Sequence, residues 1–447
     1  MMLVAAALAA PGKDFPLEFK TLKPEEVKTF PGAFSTYGRL RNGKPEALKK
    51  EPKPLGRQVF YGQLNEGKPN AFVFRIEESK EGKGYDRLLI DLNQNGDLTD
   101  DPVIEGQISS EPDKSLPKSQ STTFWPIPVS ADRMIGSWRP IYLGELRVDT
   151  RDGGKGEDVY IGLLRVYASW YLETTVEVDG FKQKAGVFDT AAQMRLGNEW
   201  KPYTPSGSGN WYFNAGDSLL LDKDGSGSFE RRPFGGESEA FSTFHYIGPQ
   251  PCKVSLSRDC KYLQVEKWVE PLAEVTVRPH GEQVRDVYLA WERARDQWQL
   301  LDLTVADGKF KVPPGNYRLY ACAVVAKSDR GEPVVALGGP DTMETPMRFA
   351  IGKANTLRCG APLRVETSAE KKKPRDSALQ REVTTAVDPK VDSEFVLDIS
   401  ARIQGVGRET YSSFRRPQDF KRAPPQPAFT VADAEGKVVG SGNLEFG

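Results

Sequence analysis

Two stretches of the sequence share one pattern and decide the kind of fold that the chain adopts. They read RLLIDLNQNGDLTDD over residues 87–101 and SLLLDKDGSGSFE over residues 218–230. In each, a short apolar run ends in an Asp and is followed by oxygen-bearing side chains at alternate positions. The apolar runs are Leu- or Ile-rich and bounded by polar turns, which indicates buried strands rather than helices.

The two stretches align without a gap, which indicates two copies of one device. With the first Asp as position 1, oxygen-bearing side chains stand at positions 1, 3, 5 and 7, and Gly stands at position 6. Calcium prefers about six to eight oxygen ligands, so a short loop must turn its alternate side chains around one point. Gly at position 6 provides the backbone freedom that this turn requires. The pattern therefore predicts two calcium sites.

The predicted ligands follow from these positions. The first site uses Asp91, Asn93, Asn95, Asp97 and Asp101. The second site uses Asp222, Asp224, Ser226, Ser228 through its carbonyl, and Glu230. Position 9 of the first loop is Thr99, so its closing acid is either Asp100 or Asp101, and we assign Asp101. Metal-free hairpin turns are the alternative, because Asn-Gly, Asp and Ser also populate tight turns.

Both loops resemble the calcium loops of EF-hand and dockerin modules, with a DxNxNGD core at residues 91–97 and a DxDxSGxxE core at residues 222–230. The likeness departs from the EF-hand at position 12, where Pro102 and Pro233 replace a bidentate Glu. The resemblance implies a structural calcium loop on a β-scaffold rather than a calcium sensor. A third stretch, residues 184–198 around Asp189, carries Ala191 and Met194 at ligand and Gly positions, so we interpret it as a decayed copy.

Composition restricts the class of protein. The 447 residues include 61 basic and 62 acidic side chains, so the net charge of -1 gives no electrostatic footprint for nucleic acid. No run approaches the roughly 18 apolar residues of a membrane span. The N-terminal MMLVAAALAAPGKDF fits a signal-peptide cleavage pattern but lacks a basic n-region, so it is either part of an export signal or a short apolar tail. We expect a secreted or periplasmic protein.

Short alternating runs separated by Gly, Pro, Asn and Lys clusters predict strands along most of the chain, and only PEEV at residues 24–27 and similar acidic stretches suggest helix. We predict an all-β chain with several small β-sandwich or barrel-like domains in tandem. The predicted segments are a signal-peptide remnant (1–10), a β-domain with the first loop (11–147), a β-domain with the second loop (148–269), a β-sandwich (271–367), a charged linker (368–392) and a C-terminal β-unit (393–447).

The predicted β-sandwich carries GKFKVPPGNYRLYACA at residues 308–323. Pro313, Pro314 and Gly315 break one strand, and Tyr317 begins the next. This segment resembles the carboxypeptidase-regulatory-like and prealbumin-like β-sandwich. The resemblance implies a spacer, lid or adhesion module without catalysis.

Cysteine and histidine usage limits the chemistry. The four cysteines form no CxxC or Cys/His metal spacing. Cys252 and Cys260 flank a predicted hairpin that a disulfide can staple, and Cys322 and Cys359, in two later strands, are the second candidate pair; four buried thiols are the alternative. The two histidines, His245 and His280, have no metal-like neighbours, and no GxSxG motif nominates a serine nucleophile. We assign no catalytic residues.

An aromatic cluster precedes the second loop in a Pro-, Gly- and Ser-rich stretch. Its members are Trp200, Tyr203, Trp211 and Tyr212. Flat aromatic faces beside a metal-ordered loop can stack on sugar rings, whereas the alternative is that these rings fill a small core.

These features predict a secreted calcium-binding multidomain β protein with a binding, attachment or structural role, whose partner is a glycan or a cell-surface protein. The alternative is a calcium-dependent extracellular hydrolase that acts on polysaccharide, with the aromatic cluster as its substrate platform. A third hypothesis is a cell-surface adhesion or scaffold part whose terminal β-units are spacers.

Overall fold

The computed structural model describes residues 12–33, 35–56, 58–65, 71–80, 84–109, 119–128, 138–152, 158–190, 192, 196, 201–203, 212–214, 216–230, 236–295, 297–327, 333–340, 346–372, 396–415, 428–432 and 435–443. Strand accounts for 61% and helix for 2%, which confirms the predicted all-β class. The PEEV segment forms the short helix α1 (Pro24–Val27), as predicted. Within the described residues, no helix has the length and apolar character that a membrane span needs. The predicted signal remnant lies outside these residues.

The chain divides into two compact units. Unit 1 contains residues 1–203, 212–270 and 297–301, and unit 2 contains residues 204–211, 271–296 and 302–447. The strands before residue 270 are β1 (Lys13–Pro16), β2 (Glu18–Thr21), β3 (Thr36–Arg39), β4 (Val59–Leu64), β5 (Phe72–Glu78), β6 (Tyr85–Ile90), β7 (Val103–Ile108), β8 (Ser119–Pro128), β9 (Ile141–Asp152), β10 (Asp158–Ala168), β11 (Trp170–Val178), β12 (Phe181–Phe188), β13 (Lys201–Tyr203), β14 (Tyr212–Asn214), β15 (Ser218–Leu221), β16 (Ser238–Ala240), β17 (Phe244–Ile247), β18 (Gln250–Leu256) and β19 (Tyr262–Lys267).

The later part of the chain continues the β pattern. Its strands are β20 (Ala273–Arg278), β21 (Val284–Ala294), β22 (Gln297–Thr304), β23 (Lys309–Val312), β24 (Gly315–Lys327), β25 (Pro333–Pro340), β26 (Met347–Phe349), β27 (Asn355–Arg358), β28 (Arg364–Lys372), β29 (Val396–Gln404), β30 (Glu409–Arg415), β31 (Ala428–Ala432) and β32 (Val438–Asn443). A 3-10 turn at Gly281–Gln283 precedes β21.

The centre of unit 1 is a barrel-like sheet in the order β3-β10-β9-β8-β7-β6-β5-β4. Its two ends meet beside Arg41 and Tyr61, whose backbones exchange two hydrogen bonds of 2.7 and 2.9 Å. Closure removes unpaired edges, so the backbone donors and acceptors of the sheet are satisfied internally.

Large rings fill the interior of this sheet, and glycines on neighbouring strands make room for them. An added Cβ at Gly38 lies 2.5 Å from the Phe74 ring, and one at Gly106 lies 2.5 Å from the Phe124 ring. Phe74 and Phe124 are both fully buried. Small residues that face large ones are how a narrow barrel interior is packed with side chains.

Unit 1 also contains sheets in the orders β16-β15-β12-β11-β2 and β1-β19-β18-β17, and the two-stranded sheet β13-β14. The N-terminal strands β1 and β2 pair with β19 and β11, which come much later in the sequence. The boundary predicted between residues 147 and 148 lies inside β9. The two predicted β-domains are therefore parts of one compact unit with a shared core around Trp170.

Unit 2 contains a small sheet, β23-β20-β27, and a larger sheet that includes the order β21-β24-β25-β30-β29-β28. The predicted turn at Pro313 and Pro314 separates β23 from β24, as expected. Tyr317 is buried, donates its hydroxyl proton to the Pro313 carbonyl at 2.5 Å and stacks on Phe349 at 5.0 Å. The tyrosine thus fixes the turn that precedes its own strand.

Two predicted segments of unit 2 have other boundaries in the structure. Residues 368–372, predicted as the start of a linker, form the end of β28, and residues 373–392 lie outside the described part. Strand β30, predicted within a separate C-terminal unit, pairs with β25. The β-sandwich and the C-terminal unit therefore share a sheet.

Replacement of Gly62 by Ala tests the packing of the closed sheet. An added Cβ at Gly62 meets the Phe74 ring and lies 2.7 Å from the Arg39 carbonyl oxygen. We expect Gly62→Ala to lower the free energy of unfolding of unit 1 by about 1–3 kcal/mol, because an overpacked core must distort. Urea denaturation measures this change.

Gly43→Ala is the matched control, since no atom lies within 4 Å of its added Cβ. We expect this variant to stay within about 0.5 kcal/mol of the parent. Equal stability of the two variants would contradict the interior packing described above.

Candidate functional site

The two sequence motifs form two loops of unit 1, which we name loop A (residues 91–101) and loop B (residues 222–237). Loop A follows β6, and loop B follows β15. The last three residues of each strand are buried, as the apolar runs predict. The first Asp of each loop is also buried, with Asp91 4% exposed and Asp222 7% exposed.

The same hydrogen bonds organise both loops. Oδ1 of the first Asp accepts the N–H at position 5, at 3.1 Å in loop A and 3.0 Å in loop B. Oδ2 accepts the N–H of the Gly at position 6, which is Gly96 at 2.9 Å and Gly227 at 2.8 Å. Both glycines have positive φ, +79° and +81°. The predicted conformational role of Gly is confirmed in both loops.

Loop B gathers three carboxylates. Oxygen atoms of Asp222, Asp224 and Glu237 all lie within 4.8 Å of one another, the one such acidic group in the described part of the chain. Glu237 is fully buried at the entrance to β16 and accepts the N–H groups of Lys223 at 2.9 Å and Glu230 at 2.6 Å. Burial raises the pKa of the Glu237 carboxyl.

Glu237 belongs to the acidic group of loop B, and the role of the predicted closing acid, Glu230, stays a prediction. The predicted residue, Glu230, is exposed, and the acidic group does not include it. Sequence analysis missed Glu237 because it stands at position 16, outside the spacing of known calcium loops. The predicted ligands Ser226 and Ser228 contact each other, since the Ser226 hydroxyl donates to the Ser228 carbonyl at 3.1 Å.

In loop A, the predicted ligand at position 7 has partners within the protein. The Asp97 carboxylate accepts the hydroxyl and N–H of Thr99 through Oδ1, and it pairs with the Lys50 ammonium at 2.9 Å through Oδ2. These contacts, those of Thr99 first, lower the pKa of Asp97 to about 2. The carboxylate therefore already has a cationic partner within the protein.

The closing acid of loop A is well placed. Asp101 Oδ1 accepts the N–H of Leu92, the residue at position 2, at 3.2 Å. In loop B, Glu237 accepts the N–H of Lys223, which is also at position 2. Asp101 and Glu237 therefore make the same hydrogen bond although they lie at different distances along the sequence from the first Asp. Burial raises the pKa of Asp101 to about 7. Asp100 instead accepts the side-chain amides of Asn93 at 3.3 Å and Asn95 at 2.8 Å.

No protein-family model, curated protein or solved structure matches the chain. The likeness of the loops to EF-hand and dockerin modules and that of residues 271–367 to the prealbumin-like β-sandwich both stay predictions.

The decayed copy and the aromatic cluster have different places in the structure. Asp189 is fully buried and accepts the Tyr142 hydroxyl at 2.9 Å, whereas Ala191 and Met194 lie outside the described residues. Tyr203 and Tyr212 stand opposite each other in the pairing of β13 with β14. Trp200, Trp211 and the side chains of the two tyrosines are outside the described part, so the ligand platform stays a prediction.

His245 belongs to a buried polar network. Its Nδ1 lies 2.8 Å from Glu239, and its Nε2 accepts the N–H of Ser242 at 3.0 Å with the Ser242 hydroxyl at 3.2 Å. The sequence of contacts Ser242–His245–Glu239 resembles a serine triad. Ser242 is however only 2% exposed, and its hydroxyl also donates to the Phe244 carbonyl at 2.9 Å. These contacts fit a network that stabilises the turn between β16 and β17.

All four cysteines are thiols in the structure. Cys252 in β18 stands opposite Lys267 rather than Cys260. Cys252 and Cys260 are free thiols in this structure, and their pairing stays a prediction.

Substitution of the buried histidine tests its role in the turn. His245→Leu removes the hydrogen bonds that His245 makes with the N–H of Ser242 and with the buried Glu239. We expect the free energy of unfolding of unit 1 to fall by about 1–3 kcal/mol, as for other unsatisfied buried groups. The control is His280→Leu, which removes an exposed side chain and is expected to change stability by less than about 0.5 kcal/mol. Equal effects would contradict the network.

Proposed function

We propose that this chain binds calcium at loop B and, more weakly, at loop A, and that it serves a binding or attachment role outside the cell. The observation that carries the proposal is the group of Asp222, Asp224 and Glu237 at a loop with the predicted ligand pattern. The donors are all hard oxygens, which calcium prefers over the nitrogen and sulfur sites of zinc.

The two loops are expected to differ in affinity. Loop B offers three carboxylates to one ion. In loop A, the ammonium of Lys50 neutralises Asp97, so Asp91 and Asp101 are the remaining acids of the predicted set. Fewer free charges around an ion weaken its binding. Loop B is the stronger site in this proposal.

A structural role follows from where the ligands come from. Asp222 directly follows β15, and Glu237 directly precedes β16, so an ion that both acids bind closes the connection between paired strands. An ion that binds only the folded chain stabilises it by RT ln(1 + [L]/Kd), about 2.7 kcal/mol at a hundredfold excess over Kd. Such a clamp suits a secreted module that presents a surface to a glycan or a cell-surface protein.

Replacement of Glu237 separates the proposed ligand set from the set that the sequence predicts. Calcium is expected to raise the Tm of unit 1 by about 5–10 °C relative to chelator at a hundredfold excess. We expect Glu237→Gln to remove most of this shift, because one of three charges is lost. Differential scanning calorimetry with calcium and with chelator measures it.

Glu230→Gln is the matched control, since it changes an exposed acid of the same loop. We expect this variant to keep the calcium-dependent shift. No shift in the parent would contradict calcium binding itself, whereas a loss in Glu230→Gln alone would restore the ligand set predicted from the sequence.

Binding stoichiometry tests the proposed order of the two sites. Titration calorimetry of the parent is expected to fit two calcium ions with unequal affinity. Asp222→Asn is expected to remove the tighter ion, and Asp91→Asn the weaker one, since each removes a charge from the first ligand of its loop. Loss of the tighter ion in Asp91→Asn would contradict the order.

A further inference from the structure

Unit 2 brings two cysteines together from different sheets, and this feature is independent of calcium binding. Cys322 lies in β24 of the larger sheet, and Cys359 follows directly after β27 of the smaller sheet. Both side chains are fully buried. They belong to one buried group with Tyr411 and Glu409, which contact Cys322 Sγ on one side and the N–H after Cys359 on the other.

Gly338, on the strand between Cys322 and Tyr411, allows the Tyr411 side chain to reach Cys322. In the sheet, Cys322 stands opposite Gly338 of β25, and Gly338 stands opposite Tyr411 of β30. An added Cβ at Gly338 lies 2.8 Å from the Tyr411 ring, so the ring occupies the space that a side chain there needs. The Tyr411 hydroxyl thereby reaches Cys322 Sγ at 3.1 Å.

Hydrogen bonds also hold the segment that contains Cys359 against Tyr411 and Glu409. The Tyr411 hydroxyl donates to Glu409 Oε1 at 3.0 Å. The same carboxylate accepts the N–H of Gly360, the residue after Cys359. Glu409 is itself fully buried, so these donors are what keep its carboxylate in the interior. The position of Cys359 beside Cys322 is therefore fixed by its neighbours.

We propose that Cys322 and Cys359 are a disulfide-forming pair that joins the two sheets of unit 2. The oxidant is a small-molecule disulfide such as oxidised glutathione. The thiolate of one cysteine attacks a glutathione sulfur, a mixed disulfide forms, and one glutathione thiol leaves. The second cysteine then attacks the mixed disulfide at the protein sulfur and releases the second glutathione. Two protein thiols are oxidised, and one glutathione disulfide is reduced to two thiols.

The reaction belongs to folding rather than to the folded state. The hydrogen bond to Cys322, together with burial, raises the pKa of Cys359 well above its ordinary value, so little thiolate is present in the native interior. Once formed, the bond closes a loop with residues 323–358 between the two cysteines. Cross-links of this kind restrict the unfolded chain and stabilise the native one.

Mass spectrometry of the full chain tests the pair without any substitution. The chain is refolded from denaturant in a buffer of oxidised and reduced glutathione, and a second sample of native chain is incubated in the same buffer. Free thiols are then alkylated and the protein is digested. We expect a cross-linked peptide that contains Cys322 and Cys359 in the refolded sample, with Cys252 and Cys260 alkylated as internal controls.

Alkylation of both Cys322 and Cys359 in both samples would overturn the proposal, as would a cross-link of either residue to Cys252 or Cys260. A melt of the oxidised and reduced chains gives a second measurement. Oxidation is expected to raise the Tm of unit 2 by about 5–10 °C in the parent and in Cys252→Ser, but not in Cys359→Ser. An equal rise in Cys359→Ser would assign the gain to another bond and contradict the pair.

Discussion

A carboxylate that is buried at the end of an apolar strand must find hydrogen-bond donors, and this constraint shapes both candidate loops. Asp91 and Asp222 directly follow strands whose last residues are buried. The nearest donors are the backbone N–H groups of the residues that follow, so the chain curls back over each carboxylate. Gly96 and Gly227 supply the left-handed conformation that the curl requires. The buried acid thus explains the loop conformation with or without an ion.

The same constraint explains why, in each loop, a second acid accepts the N–H of the residue at position 2. The N–H of the residue after the first Asp also needs an acceptor. Asp101 meets that need in loop A, and Glu237 meets it in loop B. The second acid therefore occupies the same place in both loops, although its distance along the sequence from the first Asp differs.

Local features of this chain were predictable from the sequence, and long-range ones were not. The buried strands, the glycines with positive φ, the helix at residues 24–27 and the turn before Tyr317 depend on neighbouring residues. The pairing of β1 with β19 joins segments about 250 residues apart, and periodicity carries no information on the partner. This pairing is why the predicted boundary at residue 147 does not divide unit 1. The partner of Asp97 could not be predicted for a related reason, since Lys50 comes from a distant segment.

The segment that contains Lys50 is the basis of the proposed difference in affinity between loop A and loop B. Lys49 and Lys50 donate their N–H groups to the Gly96 carbonyl, and Leu98 donates to the Lys50 carbonyl. The same segment is held on the closed sheet through Glu51, which pairs with the buried Arg75 at 2.8 Å. An added Cβ at Gly96 would meet the Ala47 carbonyl oxygen at 2.5 Å, whereas one at Gly227 meets nothing within 4 Å.

In loop A, residues 47–50 therefore pack against the Gly at position 6, whereas the equivalent Gly of loop B faces solvent. In the proposal, a cation at loop A competes with the Lys50 ammonium, and the hydrogen bonds of Lys49 and Lys50 already restrict the loop. At loop B, by contrast, residues 223–228 are exposed, and the acids Asp222, Asp224 and Glu237 approach one another. Their mutual repulsion is a cost that a bound cation removes, so for the proposed calcium site the free energy of ion binding includes relief of that repulsion. Two loops with one backbone design thus differ in the charge that the surrounding protein supplies.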